Sequence, residues 1–113
     1  MLRNMEKRFK ALGDKSRLRI INMLRDKTLC VCEITHVLQL SQSTVSGHLR
    51  VLKEAGLVRD SKDGLWVEYS LCREDNFVKN LLNTIEVVME HDKQMQRDRN
   101  QSQKANRMIL CKK

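Results

Sequence analysis

The chain has 113 residues, about one domain's worth, which leaves no room for a separate catalytic domain. Lys and Arg number 22 against 14 Asp and Glu, a net charge of +8 that favours polyanionic partners such as nucleic acid or an anionic membrane. Only four aromatic residues, Phe9, Trp66, Tyr69 and Phe77, offer stacking surfaces, which disfavours a single-strand binder that stacks bases.

Proline is absent and glycine occurs four times, so the chain reads as largely helical. The first twelve residues, MLRNMEKRFKAL, are charged every few positions and lack the apolar core of a signal peptide, and the expected location is cytoplasmic. Cysteines there are normally reduced. Cys30, Cys32, Cys72 and Cys111 therefore read as buried thiols, ligands or redox centres before they read as a disulfide framework.

Leu2, Met5, Phe9 and Leu12 fall at helical spacing and make one amphipathic helix, which Gly13 ends. Asp14 is placed to cap a second helix running to about Lys27. Residues 28–30 suit a short extended piece, followed by a third helix over Val31 to Leu38. Ser41 is placed to cap a fourth helix that runs to about Ala55 and is closed by Gly56. Leu57 to Lys62 and Leu65 to Leu71 flank Asp63-Gly64, a two-residue hairpin turn, and Val67, Tyr69 and Leu71 alternate with polar-side neighbours as a half-buried strand requires. A last long helix starts near residues 73–75. Its apolar set, from Phe77 to Met89, covers more circumference than one small domain needs and suggests a dimer interface shared with the first helix.

More than half the charge excess lies beyond His91: residues 92–113 carry seven basic and two acidic side chains. The chain thus divides into a domain over residues 1–91 and, over 92–113, a frayed helix end with a flexible basic tail carrying Cys111.

A short helix, a tight turn, a capped helix and a hairpin are the order of a winged helix-turn-helix, mainly α with a small β-hairpin wing. In the fourth helix Val45, Leu49 and Leu52 form the core stripe, which turns Gln42, Ser43, Ser46 and Arg50 outward. Small hydroxyl and amide side chains near a helix start permit close approach to base edges, with Thr44 beside them and Gly47 easing the backbone in. Arg50 and Lys53, with Arg59 and Lys62 in the hairpin, are candidates for phosphate contacts, and His48 for packing or a phosphate contact.

The segments LGDKSRLRIINML, LCVCEI, LSQSTVSGHLRVLKEAGLV and DGLWVEYSL, spanning Phe9 to Leu71, resemble the ArsR/SmtB family of metal- and metalloid-responsive repressors. The resemblance implies a homodimer that binds double-stranded operator DNA and releases it on binding an inducer, with the helix after Ser41 as the recognition helix and the hairpin as the wing. It also implies an arsenic-type sensor at Cys30-Val31-Cys32. The helix start there favours thiolate over thiol, and soft thiolates suit As(III) or Sb(III), with Cd, Pb or Zn as alternatives. Two residues two apart in a regular helix point about 200° apart, so chelation should distort the helix start. Arsenic-type members often carry a further cysteine where this chain has Ile34, Thr35 and His36. A third thiolate then falls to Cys111 or, less readily, Cys72.

The runner-up input is a thiol oxidant or persulfide at the same cysteines. An enzyme is disfavoured, because the chain holds neither a Cys-x5-Arg phosphate loop nor a C-x-x-C pair. A membrane-surface role is weakened by the lack of a long apolar face on the basic tail. Glu86, Glu90, His91 and Asp92 read as a solvated face and not as a zinc site.

Overall fold

The structure is a computed structural model that describes residues 2–110. Helix α1 (Leu2–Leu12) leads into α2 (Lys15–Met23), β1 (Leu29–Cys30), α3 (Val31–Leu38) and α4 (Gln42–Glu54). The hairpin β2 (Val58–Asp63) and β3 (Trp66–Leu71) follows, then α5 (Asn76–Met89), α6 (Lys93–Lys104) and α7 (Arg107–Leu110).

Local chemistry sets most of these boundaries. The Asp14 carboxylate accepts a hydrogen bond from Arg17 N at 3.0 Å and starts α2, and this bond holds the Asp14 carboxyl below the usual carboxylate range. Ser41 Oγ accepts from Thr44 N at 3.2 Å at the head of α4, and Asp75 Oδ1 from Val78 N at 3.2 Å at the head of α5. Gln39 stops α3 in the left-handed region (φ 59°), which turns the chain within residues 39–41 so that α4 crosses α3 as the second helix of a helix-turn-helix. Helix α2 ends four residues short of the expected Lys27. The chain must straighten by Leu29, whose Cα pairs with Tyr69 of β3.

The sheet has the order β1-β3-β2, all antiparallel, with Cys30 opposite Glu68 and Val58 opposite Leu71. The hairpin differs by one residue from the expectation: Asp63 pairs with Trp66, so the loop is Gly64-Leu65. Gly64 alone of the two takes a positive φ (61°), the pattern of a turn that places glycine first. The alternation expected of β3 holds only at Leu71, which is buried; Tyr69 is half-buried like Glu68 and Ser70 beside it, and Val67 is exposed because the hairpin tip projects beyond the core.

Ile20, Ile21 and Met23 of α2, Ile34 of α3, and Val45, Leu49 and Leu52 of α4 are fully buried, with Leu57 and Val58 below them and Val78 of α5 beside them. Burial of each large aliphatic side chain contributes about 1.5–3 kcal/mol. Arg8 joins α1 to this body: Nε donates to Ala55 O at 3.1 Å, Nη2 to Asp75 Oδ2 at 2.9 Å, and the guanidinium lies 4.7 Å from the Phe77 ring centre. Ala11 and Leu12 bury the end of α1 in the same core, but its first turns are open. Leu2, Met5 and Phe9 are exposed, as are Val87 and Val88 on α5, an apolar face of the kind expected of a subunit interface.

The described part of the segment after His91, residues 92–110, carries α6 and α7 where its composition suggested a frayed end. Asp92 caps α6, accepting from Met95 N at 3.0 Å, and α6 lies along α2 and α3. Asp98, buried, receives Arg19 Nε at 2.7 Å and Nη2 at 3.0 Å. Arg99 forks onto Asp26 at 2.8 and 2.9 Å, and Asn22 Nδ2 donates to Met95 O at 3.0 Å. No helix among the described residues is long and apolar enough to cross a membrane.

Candidate nucleic-acid interface and thiol site

The recognition-helix candidates stand as a polar ridge on α4. With Val45 and Leu49 fully buried, Gln42, Ser43, Thr44 and Arg50 are exposed, and Ser46, Gly47 and His48 are half-buried along the flank. Ser41 Oγ also donates to Thr44 Oγ1 at 2.8 Å, which orients the first turn. A Cβ at Gly47 would meet nothing within 4 Å, so the backbone there is open. His48 turns toward α2: Arg17 Nη1 lies 3.2 Å from His48 Nδ1, and Arg17 Nε donates to Ala11 O at 2.6 Å. The ring thereby braces α4 against α1 and α2.

The four expected phosphate-contact cations divide into two kinds. Arg50 and Lys62 are exposed on helix and wing. Lys53 Nζ instead lies 2.9 Å from Asp60 Oδ2, which raises the lysine pKa and ties the end of α4 to the wing; Arg59 pairs with Glu74. Exposed pairs of this kind are weak and screened by solvent, so a phosphate oxygen can compete for both cations.

The thiols sit where α3, the wing and the start of α4 meet. Cys30 is the last residue of β1 and the N-cap of α3, with extended backbone (φ −85°, ψ 162°), while Cys32 lies in the first helical turn. The 200° separation expected of two helical residues therefore does not apply, since Cys30 stands outside the helix. The expectation of a thiolate at Cys30 is also corrected. Burial outweighs the helix end and the nearby Arg107, and the Cys30 thiol, only 2% exposed, is pushed up to about 11. Cys30 and Cys72 are free thiols, whereas Cys32 is disulfide-bonded.

A cavity of about 530 Å³ opens beside the pair, and Cys30, Cys32, Gln42, Trp66, Tyr69 and Leu110 contribute to its wall. It brings together two candidate ligands and one candidate DNA-reading residue, Gln42. Cys72 does not line it. Cys111 lies outside the described residues, but its neighbour Leu110 is in the cavity wall. Among the described residues no three of His, Cys, Asp and Glu are grouped as a metal site. Of the residues considered for zinc, Asp92 is spent on the α6 cap and Glu86 Oε1 faces Arg25 Nε at 3.4 Å.

Two residues of this site were missed in the sequence. Glu33 is buried and its Oε1 accepts from Cys30 N at 2.8 Å. Its signal was present: an acidic residue three positions after the N-cap is half of a capping box, obscured here because the cap is a cysteine. Arg107, which reaches Glu33, Glu68 and Asp63, has no local signal at all.

Residues 14–60 match the model of the bacterial regulatory protein arsR family. The chain is 48% identical over 64 residues to the arsenic resistance transcriptional regulator ArsR1 of Pseudomonas putida, covering 56% of this chain and 50% of that protein. It is 41% identical over 85 residues to the arsenical resistance operon repressor of Bacillus subtilis, covering 74% and 78%. Among solved structures it is similar to the homodimeric winged helix-turn-helix DNA-binding domain of a possible ArsR-family regulator from Mycobacterium bovis, with a TM-score of 0.70 at 27% identity over 79% of this chain and 81% of that one.

Proposed function

The chain belongs to the ArsR family of transcriptional repressors, and we propose that it holds duplex operator DNA as a homodimer and releases it when As(III) or Sb(III) is taken up at Cys30 and Cys32. The single observation that carries this reading is the shared cavity: both cysteines, the wing residue Trp66 and the recognition-helix residue Gln42 border one space. A ligand there touches the two elements that meet DNA.

The donor set fits a thiophilic ion in part. The described residues supply two sulfurs, and a trigonal centre needs a third, for which Cys111 is the candidate because Leu110 already reaches the cavity. With the Cys32 disulfide first reduced to the thiol, as by the phosphine used below, each cysteine that held trivalent arsenic would replace one of its hydroxyl groups, the thiol proton leaving in a molecule of water. The protein's part is positional. Cys32 is half-buried and is met first; Cys30 is buried and must be drawn from its place at the N-cap of α3 and opposite Glu68 in β3. That displacement loosens the start of α3, which carries α4, and the base of the wing together.

In the complex, Gln42, Ser43, Thr44 and Ser46 would read base edges, while Arg50, Lys53, Arg59 and Lys62 hold phosphates and His48 supports the helix from behind. The exposed apolar faces of α1 and α5 would pair two protomers and set two recognition helices on two half-sites.

A second reading rests on Cys32, which is disulfide-bonded: a thiol oxidant would be the input, two thiols losing two electrons and two protons to it. One experiment separates the readings. Protein reduced with a phosphine is bound to duplex DNA from upstream of its own gene and titrated with arsenite, antimonite, cadmium or peroxide. Release by arsenite and antimonite at stoichiometric amounts supports the first reading; release by peroxide alone supports the second; release by none refutes both.

A further inference from the structure

Arg107 sits where three parts of the molecule meet. From α7 its Nη2 reaches Glu33 Oε1 at 3.3 Å, in the first turn of α3. Its Nη1 reaches Glu68 Oε2 at 3.1 Å in β3 and Asp63 Oδ2 at 3.0 Å at the end of β2. The guanidinium carbon also lies 6.0 Å from the centre of the Trp66 ring. Two of these partners are tied to Cys30. Glu33 accepts the Cys30 backbone N–H, and Glu68 is the residue opposite Cys30 in the sheet.

The burial of Glu33 gives this contact its weight. Its side chain is 2% exposed, and a buried carboxylate that loses its cation is strongly destabilised. A planar guanidinium with five N–H donors can face three carboxylates at once, which an ammonium on a flexible stem does poorly. Arg107 does not hang from a loose tail. Lys27 Nζ donates to Ala105 O at 3.4 Å just before α7, and α6 is clamped to α2 by the Arg19–Asp98 pair and to the turn after α2 by the Arg99–Asp26 pair.

We propose that Arg107 is the positioning residue that ties the wing to the thiol site, making α6 and α7 a strap across the back of the helix-turn-helix. With the strap engaged, the tip of the hairpin is held through Asp63 to the start of α3. A displacement of Cys30 moves Glu33, loosens its hold on Arg107 and frees the wing. The strap itself is a property of the protein without ligand; only the identity of what displaces Cys30 rests on the function proposed above.

Trp66 is the sole tryptophan of the chain and reports on the strap directly. Acrylamide quenching of Trp66 fluorescence is measured on the full reduced chain, on Arg107→Gln, Arg107→Lys and Asp63→Asn, and on Lys104→Gln as a control. Far-UV circular dichroism checks that each is folded. Arg107→Gln is expected to raise the quenching constant about twofold as the ring loses its cationic cover. Arg107→Lys should recover part of that protection, Asp63→Asn should raise quenching from the wing side, and Lys104→Gln should behave as the parent. Arg107→Gln should also weaken binding to the upstream duplex about threefold to tenfold, since a mobile wing must be ordered on the DNA. Unchanged quenching in both Arg107→Gln and Asp63→Asn overturns the strap, as does an equal rise in Lys104→Gln. Raised quenching together with a parent complex that ignores arsenite would uphold the strap and refute the ligand.

Discussion

Asp98→Ala tests whether the basic segment after α5 is part of the folded body. The carboxylate is 1% exposed and receives three N–H groups, Arg19 Nε at 2.7 Å, Arg19 Nη2 at 3.0 Å and Gln94 Nε2 at 2.9 Å. Removing one partner of a buried pair costs about 3–5 kcal/mol. Arg19 is 17% exposed, so water can reach part of its guanidinium, which places the cost near the lower end, at about 3 kcal/mol. The loss is bounded by the docking energy of α6, because the helix can leave its seat and let Arg19 meet solvent. The appropriate assay is native-state hydrogen exchange of the α6 amides beyond its first turn, residues 97–104, read beside those of α4. In Asp98→Ala the α6 amides should lose about two decades of protection, while Leu49 and Leu52 in α4 change far less. Restoring an apolar contact with the pair Arg19→Met and Asp98→Leu should return much of it. Equal protection of α6 in parent and Asp98→Ala would refute the reasoning.

Three further outcomes follow from the same structure. The Cys30 thiol, pushed by burial to about 11 against 9.0 for an ordinary one, stays protonated in the folded protein, so its contribution to stability is intact below pH 9 and lost as pH rises toward 11. Alkylation of Cys30 by iodoacetamide should accordingly climb about tenfold per pH unit through this range; a plateau reached below pH 9 would contradict the burial. Phe9→Glu, in the exposed face of α1, should sediment as a monomer at concentrations where the parent is a dimer, and unchanged sedimentation would place the dimer contact elsewhere. Gln39→Gly should stabilise the protein by about 0.5 kcal/mol in urea unfolding, since glycine takes the left-handed backbone at φ 59° without strain; a destabilisation would show that the 2.6 Å bond from Gln39 Nε2 to His36 O matters more.

Much of the helix-turn-helix was legible because its boundaries are written locally. Asp14, Ser41 and Asp75 each cap the helix that follows, and α3 runs over Val31–Leu38 as expected. The hairpin was legible from Gly64, though its register moved by one residue, since a glycine fits more than one position of a tight turn. Helix α6 was not legible. Its sequence, KQMQRDRNQSQK, has almost no apolar stripe, and its seat on α2 and the following turn comes from charge pairs separated by more than seventy residues, Arg19 with Asp98 and Asp26 with Arg99. No periodicity within a segment announces such pairs. The cysteine pair was visible, but its protonation was not: the helix start argued for thiolate, and only the depth of Cys30 in the core showed that desolvation prevails.

The account stands most directly on one measurement: fluorescence anisotropy of the labelled upstream duplex bound to reduced protein, titrated with arsenite, for the parent and for Cys30→Ser and Cys32→Ser. The thiol pair at the start of α3 predicts that the parent lets go of the duplex as arsenite reaches the protein concentration. Each serine variant should bind the duplex as the parent does and keep it. Release of the duplex from Cys30→Ser or Cys32→Ser at the parent's arsenite concentration would contradict the assignment of the switch to this pair.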